Sequence, residues 1–301
     1  MPEEPALDAT RARDRMQALI VVCVLAVASL VIAFLGATPA RVSSTELLGD
    51  TRAPGDQAFI ASHRGGGATA PENTLPAIEA ALADGYDYVE VDVAVTADGV
   101  AVLMHDSTVD RTTNGRGALA ALTFAQVREL DAGGWFDARF AGTRVPTFGE
   151  FLDVLERAGR RAIVELKGRW DESTAARLVA DIQTRGLEHH VVLASFDARS
   201  LALVGAVSDV IPRLVIMKRL PDDTADAARK AGARGVIVDR RAVLDRPEVV
   251  DELHAAGLRV VVYTLNSDRQ WDAVTALGVD GIVTDDPGTL QRWQQATARR
   301  E

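Results

Sequence analysis

The chain nearly lacks cysteine: the one cysteine among 301 residues is Cys23, inside an apolar N-terminal run. The remainder can therefore form neither a disulfide nor a thiolate metal site. Positive charge is also in short supply, with 33 Lys and Arg against 43 Asp and Glu and a formal net charge of -10. That balance argues against a nucleic-acid partner, because phosphate backbones are bound by surplus cations. No glycine-rich turn of the dinucleotide-binding kind follows the first strand-like run, which argues against a doubly wound sheet. No feature points to a protein partner. The remaining make-up, 48% hydrophobic and 25% charged, is that of a globular chain, long enough for one strand-helix barrel of about 250 residues plus extras.

Long apolar runs are confined to one place. Met16 to Ala40 carries no charge, which exceeds both the roughly 20 residues that cross a hydrocarbon core and the about 7 to 15 of a signal-peptide core. The expectation is a cytoplasmic N-terminus over 1–16, a transmembrane anchor over 17–37, a polar linker over 38–56 and the main folded domain over 57–301. Arg11, Arg13 and Arg15 precede the run and only Arg41 follows closely. This predicts a single-pass protein in the cell membrane with its main domain outside the cytoplasm. Cleavage after Ala37 or Ala40 would instead give a secreted domain. Val21-Val22 before Cys23 lacks the small residue of a lipoprotein signal, and the run has no paired small-residue motif for helix association.

Beyond the linker, short β-branched runs alternate with helical patterns, the mark of a parallel sheet. Strands are predicted at 58–62, 88–95, 100–104, 162–166, 191–194, 213–217, 235–238, 259–264 and 281–284, and helices at 74–83, 173–185, 223–231, 247–256 and 268–277. Thr96-Ala97-Asp98-Gly99 is a tight turn with no room for a crossover helix, so the second and third strands form a hairpin. The eight remaining strands match a closed TIM-type (β/α)8 barrel. Residues 106–148 break the alternation and read as an insertion over one barrel face.

Barrel enzymes carry their sites at the carboxyl ends of strands. Glu90 and Asp92 lie two apart on one strand and share a face, with Val89, Val91 and Val93 on the other. Pairing across the hairpin puts Glu90 beside His105 and Asp92 beside Leu103. Glu165 ends a later strand, and three converging carboxylates repel one another unless a cation sits among them. Oxygen ligands without cysteine favour Ca²⁺, then Mg²⁺, over zinc. His63 and His105 suit acid-base work near neutral pH. Arg64 and Lys167 bring positive charge to where a phosphate would lie. Each residue alone has a plainer reading, as a structural histidine, a solvated sheet face or a surface ion pair. Their recurrence at successive strand ends favours a site.

These residues sit in an ordered series: His63-Arg64-Gly65, Pro71-Glu72-Asn73-Thr74, Glu90-Val91-Asp92-Val93, Thr96-Ala97-Asp98-Gly99, His105-Asp106, Arg111 to Gly117, Glu165-Leu166-Lys167 and Gly281 to Pro287. The series resembles the glycerophosphodiester phosphodiesterase family. The resemblance implies a metal-dependent hydrolase, with Glu90, Asp92 and Glu165 as ligands, His63 and His105 as the acid-base pair, and Arg64 and Lys167 on the phosphate. It further implies attack by the substrate's own glycerol hydroxyl, a cyclic phosphate, and glycerol 3-phosphate plus an alcohol as products. Where relatives often carry tryptophan, this chain reads Val262 to Asn266. Two alternatives are a lysophospholipase D, which Trp135, Phe136 and Phe140 in the insertion would suit, and a non-catalytic binding module on the same barrel.

Overall fold

Runs of Val, Ile, Leu and Ala form strands wherever the sequence alternation predicts them. The computed structural model describes Met16, residues 19–27, Ser29 and residues 47–298. The chain divides into two units, Met1–Arg41 and Val42–Glu301. In the first unit, residues 19–27 are helical and their side chains exposed. Among the described residues no helix is long and apolar enough to cross a membrane. The rest of the expected anchor, residues 17, 18, 28 and 30–37, lies outside the described residues, as does the linker up to residue 46.

In the second unit the strands are β1 (Phe59–Ser62), β2 (Tyr88–Val95), β3 (Ala101–Leu103), β4 (Arg161–Leu166), β5 (Val191–Ser195), β6 (Arg213–Met217), β7 (Gly235–Asp239), β8 (Arg259–Tyr263) and β9 (Gly281–Thr284). Their order is β1-β9-β8-β7-β6-β5-β4-β2-β3, and β1 also pairs with β2. Eight parallel strands thus close on themselves and β3 hangs antiparallel on β2, which is the expected TIM-type barrel with its hairpin. Helices missed by the sequence patterns include those at 148–158, 198–207 and 287–298, with shorter ones at 124–128 and 240–245. The first of these is well specified locally: Thr147 and Glu150 form a capping box, and Gly159 ends the helix in the left-handed region.

The hairpin register differs by one from the expected pairing. Val93 faces Leu103 and Ala94 faces Val102, because Thr96 pairs with Val100 around the three residues Ala97, Asp98 and Gly99. Gly99 supplies the positive φ, 80°, that this longer turn requires. His105 therefore lies past the end of β3 rather than beside Glu90.

The pleat sends alternate residues to two cores. Val89, Val91, Val93, Val164, Leu193 and Val262 face outward to the helices. Phe59, Tyr88, Ile163, Val192, Leu214, Ile237 and Val283 fill the barrel. Gly281 leaves space for the Phe59 ring, since a Cβ there would lie 2.2 Å from it. Residues 47–53 depart from the expected linker. Leu47 and Leu48 are buried in the barrel core, the Leu47 carbonyl accepts from the Tyr88 hydroxyl, and the Gly49 carbonyl accepts from Arg259. An apolar pair placed at the amino end of a barrel lowers its free energy by covering that end. The insertion packs on the hairpin in a third cluster around Val102, Met104, Val109, Val127 and Val145.

Asp280 ties the amino ends of β8 and β9 together. Fully buried, it accepts from the Val260 and Arg52 backbone N–H groups at 2.7 and 3.1 Å and pairs with His254 Nε2 at 2.9 Å. Asp280→Ala strands these donors in the interior and is expected to lower unfolding free energy by about 3 kcal/mol. Urea unfolding of wild type and variant checks it.

Candidate active site

The carboxyl ends of the barrel strands converge on a cavity of about 380 Å³ lined by His63, Arg64, Glu90, His105, Glu165 and Lys167, among others. All seven residues singled out from the sequence meet here, with Asp92 fully buried directly behind the cavity wall. Register explains the convergence. Asp92 on β2 pairs with Glu165 on β4, and Glu90 pairs with Ile163 one inward step below.

One oxygen each of Glu90, Asp92 and Glu165 lies within 4.8 Å of the others. Burial and then the neighbouring Asp92 charge push the Glu90 carboxyl up to about 8. The same two causes push Glu165 up to about 7. Asp92 remains below its ordinary range in spite of burial, held there by Lys167 and Arg64. Lys167 Nζ lies 2.7 Å from Glu165 Oε1 and 3.2 Å from Asp92 Oδ1. Both of those buried oxygens nevertheless lack a partner in hydrogen-bond geometry. Oxygen donors that are buried, crowded and unsatisfied fit a hard divalent cation, and the three carboxylates could hold one.

Arg64 follows β1 in the left-handed region, φ 54°, a rare place for a non-glycine residue. Its backbone N–H donates to Glu90 Oε2 at 2.9 Å, which holds the turn against the acid. Its guanidinium donates to Glu72 at 2.7 Å and lies 3.2 Å from Asp92 Oδ2. Asn73, also left-handed at φ 55°, donates its side-chain amide to Asp92 at 2.9 Å and accepts from the Asp92 backbone N–H at 3.0 Å.

The two histidines are held alike but biased in opposite directions. His63 Nδ1 is 2.6 Å from Asp285 Oδ1. Burial works against its proton, but the Asp285 hydrogen bond and the Glu90 charge raise its pKa above 6.5. His105 Nδ1 is 2.6 Å from Asp106 Oδ1. There burial prevails over Asp92 and Asp106, and the pKa falls below 6.5. Asp106 is itself held by Arg111, which also grips Glu72 with two further bonds of 2.7 and 2.8 Å.

Sequence reasoning did not assign Asp285, Asn73, Glu72 or Arg111 to the site, although all four lie in the motifs that carry the resemblance. It also passed over Phe196 and Lys218, which line the opposite wall of the cavity together with Tyr263 of the Val262 to Asn266 stretch. The signal was available. Each stands at or just past a strand end, in step with inward residues: Phe196 two beyond Ala194, Lys218 two beyond Ile216, Tyr263 two beyond Val261.

Fold and site together define a phosphoric diester hydrolase on a TIM-type barrel. The model of the Glycerophosphoryl diester phosphodiesterase family matches residues 63–289, and the chain belongs to this family. It is 30% identical over 234 residues to a glycerophosphodiester phosphodiesterase of Caldanaerobacter subterraneus subsp. tengcongensis, covering 77% of this chain and 96% of that protein. It also superposes on a glycerophosphodiester phosphodiesterase structure from Agrobacterium tumefaciens str. C58, at 31% identity and TM-score 0.68, covering 78% of this chain and 100% of that one. An Oleispira antarctica phosphodiesterase, solved in complex with the product sn-glycerol-3-phosphate, is similar at 26% identity and TM-score 0.72, covering 79% of this chain and 96% of that one.

Carboxyls held near 7 and 8 must lose protons to bind a cation. At pH 7, adding Ca²⁺ is expected to release roughly one proton per ion. Calorimetric titrations in buffers of different ionisation enthalpy check this. Binding heats that do not vary with the buffer would contradict it.

Proposed function

We propose that the chain hydrolyses glycerophosphodiesters to glycerol 3-phosphate and an alcohol, with one divalent cation, Ca²⁺ ahead of Mg²⁺, at Glu90, Asp92 and Glu165. The observation that carries this reading is the pair of histidines facing one cavity beside the three carboxylates, each with a carboxylate 2.6 Å from its Nδ1. In each, a carboxylate occupies Nδ1, which leaves Nε2 to exchange protons with substrate. His105, biased toward the neutral imidazole, takes the proton of the glycerol hydroxyl as that oxygen attacks phosphorus. His63, biased toward the imidazolium, gives its proton to the departing alcohol oxygen. The roles reverse when water opens the cyclic phosphate. Arg64 and Lys167 hold the phosphoryl oxygens, and a cation bound at the carboxylates would supply further neutralisation of their charge.

We further infer a tether through the apolar run 17–37, with the catalytic domain outside the cytoplasm. Uncharged length and the preceding arginines support it, and resistance of the full chain to carbonate extraction tests it. A second reading, lysophospholipase D activity, draws on the insertion, where Trp135 is 40% exposed and Phe136 meets both Trp135 and Phe140 edge-on. Such a surface suits an acyl chain or a bilayer interface.

Glycerophosphoglycerol, whose alcohol is uncharged, is the test substrate. Release of glycerol 3-phosphate should require the cation and stop on chelation, and His63→Ala and His105→Ala should each lower kcat by about 10²–10⁴-fold. Full activity in either variant would refute the acid-base pair. Because His105 must be neutral and His63 protonated, kcat/KM should be bell-shaped, with the acid limb from His105 and the alkaline limb from His63. Asp285→Asn removes a group that raises the His63 pKa, so it should shift the alkaline limb to lower pH and leave the acid limb in place.

A further inference from the structure

The proposed chemistry leaves one wall of the cavity without a role. Phe196 presents a large ring at the mouth, 42% exposed. Two ammonium groups attend that ring, Lys167 Nζ at 5.7 Å and Lys218 Nζ at 5.6 Å from its centroid. Tyr263 meets it edge-on at 6.1 Å, and the Tyr263 hydroxyl is buried without a hydrogen-bond partner. Lys218 also lines a second cavity of about 380 Å³ together with Arg219, Arg241 and Arg246, and it is the residue common to the two. Arg246 is committed to Glu252 at 2.9 Å. Lys218, Arg219 and Arg241 have no ion-pair partner among the described residues. Asp239 and Asp245 are the acids of that second cavity, and Asp239 accepts from the Arg241 backbone N–H at 2.8 Å.

Resting on the activity proposed above, we propose that this wall receives the departing alcohol, and that Lys218, with Arg219 and Arg241 behind it, selects glycerophosphodiesters whose alcohol carries a further anionic group. The chemistry assigns the arms. A glycerol hydroxyl that attacks its own phosphorus must fold back on it, so the other arm of the diester is the one free to extend along Phe196 and Tyr263. A quaternary ammonium on that arm would meet Lys218, and the aromatic face that could hold it is already engaged by the protein's own lysines. A phosphate or carboxylate would instead find the Lys218 ammonium, with the Arg219 and Arg241 guanidinium groups behind it.

Glycerophosphoinositol and its 4-phosphate differ by one phosphate on the alcohol and form the test pair, with glycerophosphocholine as the cationic counterpart. Both kcat/KM and calorimetric affinity are measured for wild type, Lys218→Ala, Lys218→Glu and Arg241→Ala. Wild type should favour the 4-phosphate about tenfold in each measure. Lys218→Ala and Arg241→Ala should shrink the ratio, Lys218→Glu should reverse it, and added salt should weaken it. Equal values for the two inositol diesters in wild type, a preference for glycerophosphocholine, or a ratio unmoved in all three variants would overturn the proposal. Turnover of glycerophosphoinositol without preference defeats the subsite and keeps the activity. A calorimetric preference without turnover keeps the subsite and defeats the activity.

Discussion

Three carboxylates crowded at the inner end of a closed barrel set the terms for everything around them. An uncompensated buried charge costs about 3–5 kcal/mol, and Glu90, Asp92 and Glu165 are all buried. Compensation comes in several forms at once. Burial and mutual repulsion raise the Glu90 and Glu165 pKa values, which lightens the charge of the cluster. The Lys167 ammonium reaches Asp92 and Glu165, the Arg64 guanidinium leans on Asp92, and the Arg64 backbone N–H serves Glu90. The groups proposed to hold phosphate are therefore the same groups that make the acid cluster tolerable in a folded chain. Stability and chemistry draw on one set of contacts, and a substitution at Lys167 or Arg64 acts on both.

The second layer shows what it takes to keep that arrangement in place. Arg64 and Asn73 both sit in the left-handed region without being glycine. They are linked through the Asn73 N–H and the Arg64 carbonyl at 2.9 Å. Backbone strain of this kind persists where surrounding contacts over-determine it, and here the contacts are the bonds to Glu90 and Asp92. The loop after β1 is thus shaped by the acids it serves.

Much of the architecture was legible in the sequence because the barrel repeats two simple periods. Strand positions followed from β-branched runs, and the hairpin from Thr96 to Gly99. The shared face of Glu90 and Asp92 followed from the pleat. The reading failed where long-range geometry decides. The hairpin slipped by one because Val100 belongs to the turn's closing pair, which a four-residue motif does not reveal. Leu47 and Leu48 read as linker because their partner surface, the underside of the barrel, exists only once the strands have closed. The helix at 198–207 has an ordinary composition and no sharp polar face, so packing rather than pattern defines it. Phe196 and Lys218 were within reach of the alternation rule, but they carry no motif of their own to draw the eye. Asp285 lay in view inside a motif, and its purpose emerges only from its 2.6 Å approach to His63.

A single carboxylate, Glu72, is gripped by Arg64 from the barrel and by Arg111 from the insertion. Through Arg111 the chain of alternating charges continues to Asp106 and ends on His105. The insertion is therefore wired into the rim as well as laid over it. Its folding completes a loop of opposite charges that runs from one side of the cavity to the other. Divergence in that segment is constrained accordingly: an exchange of insertions between relatives must carry the Arg111 guanidinium with it, or Glu72 is left to Arg64 alone and Asp106 to His105 alone.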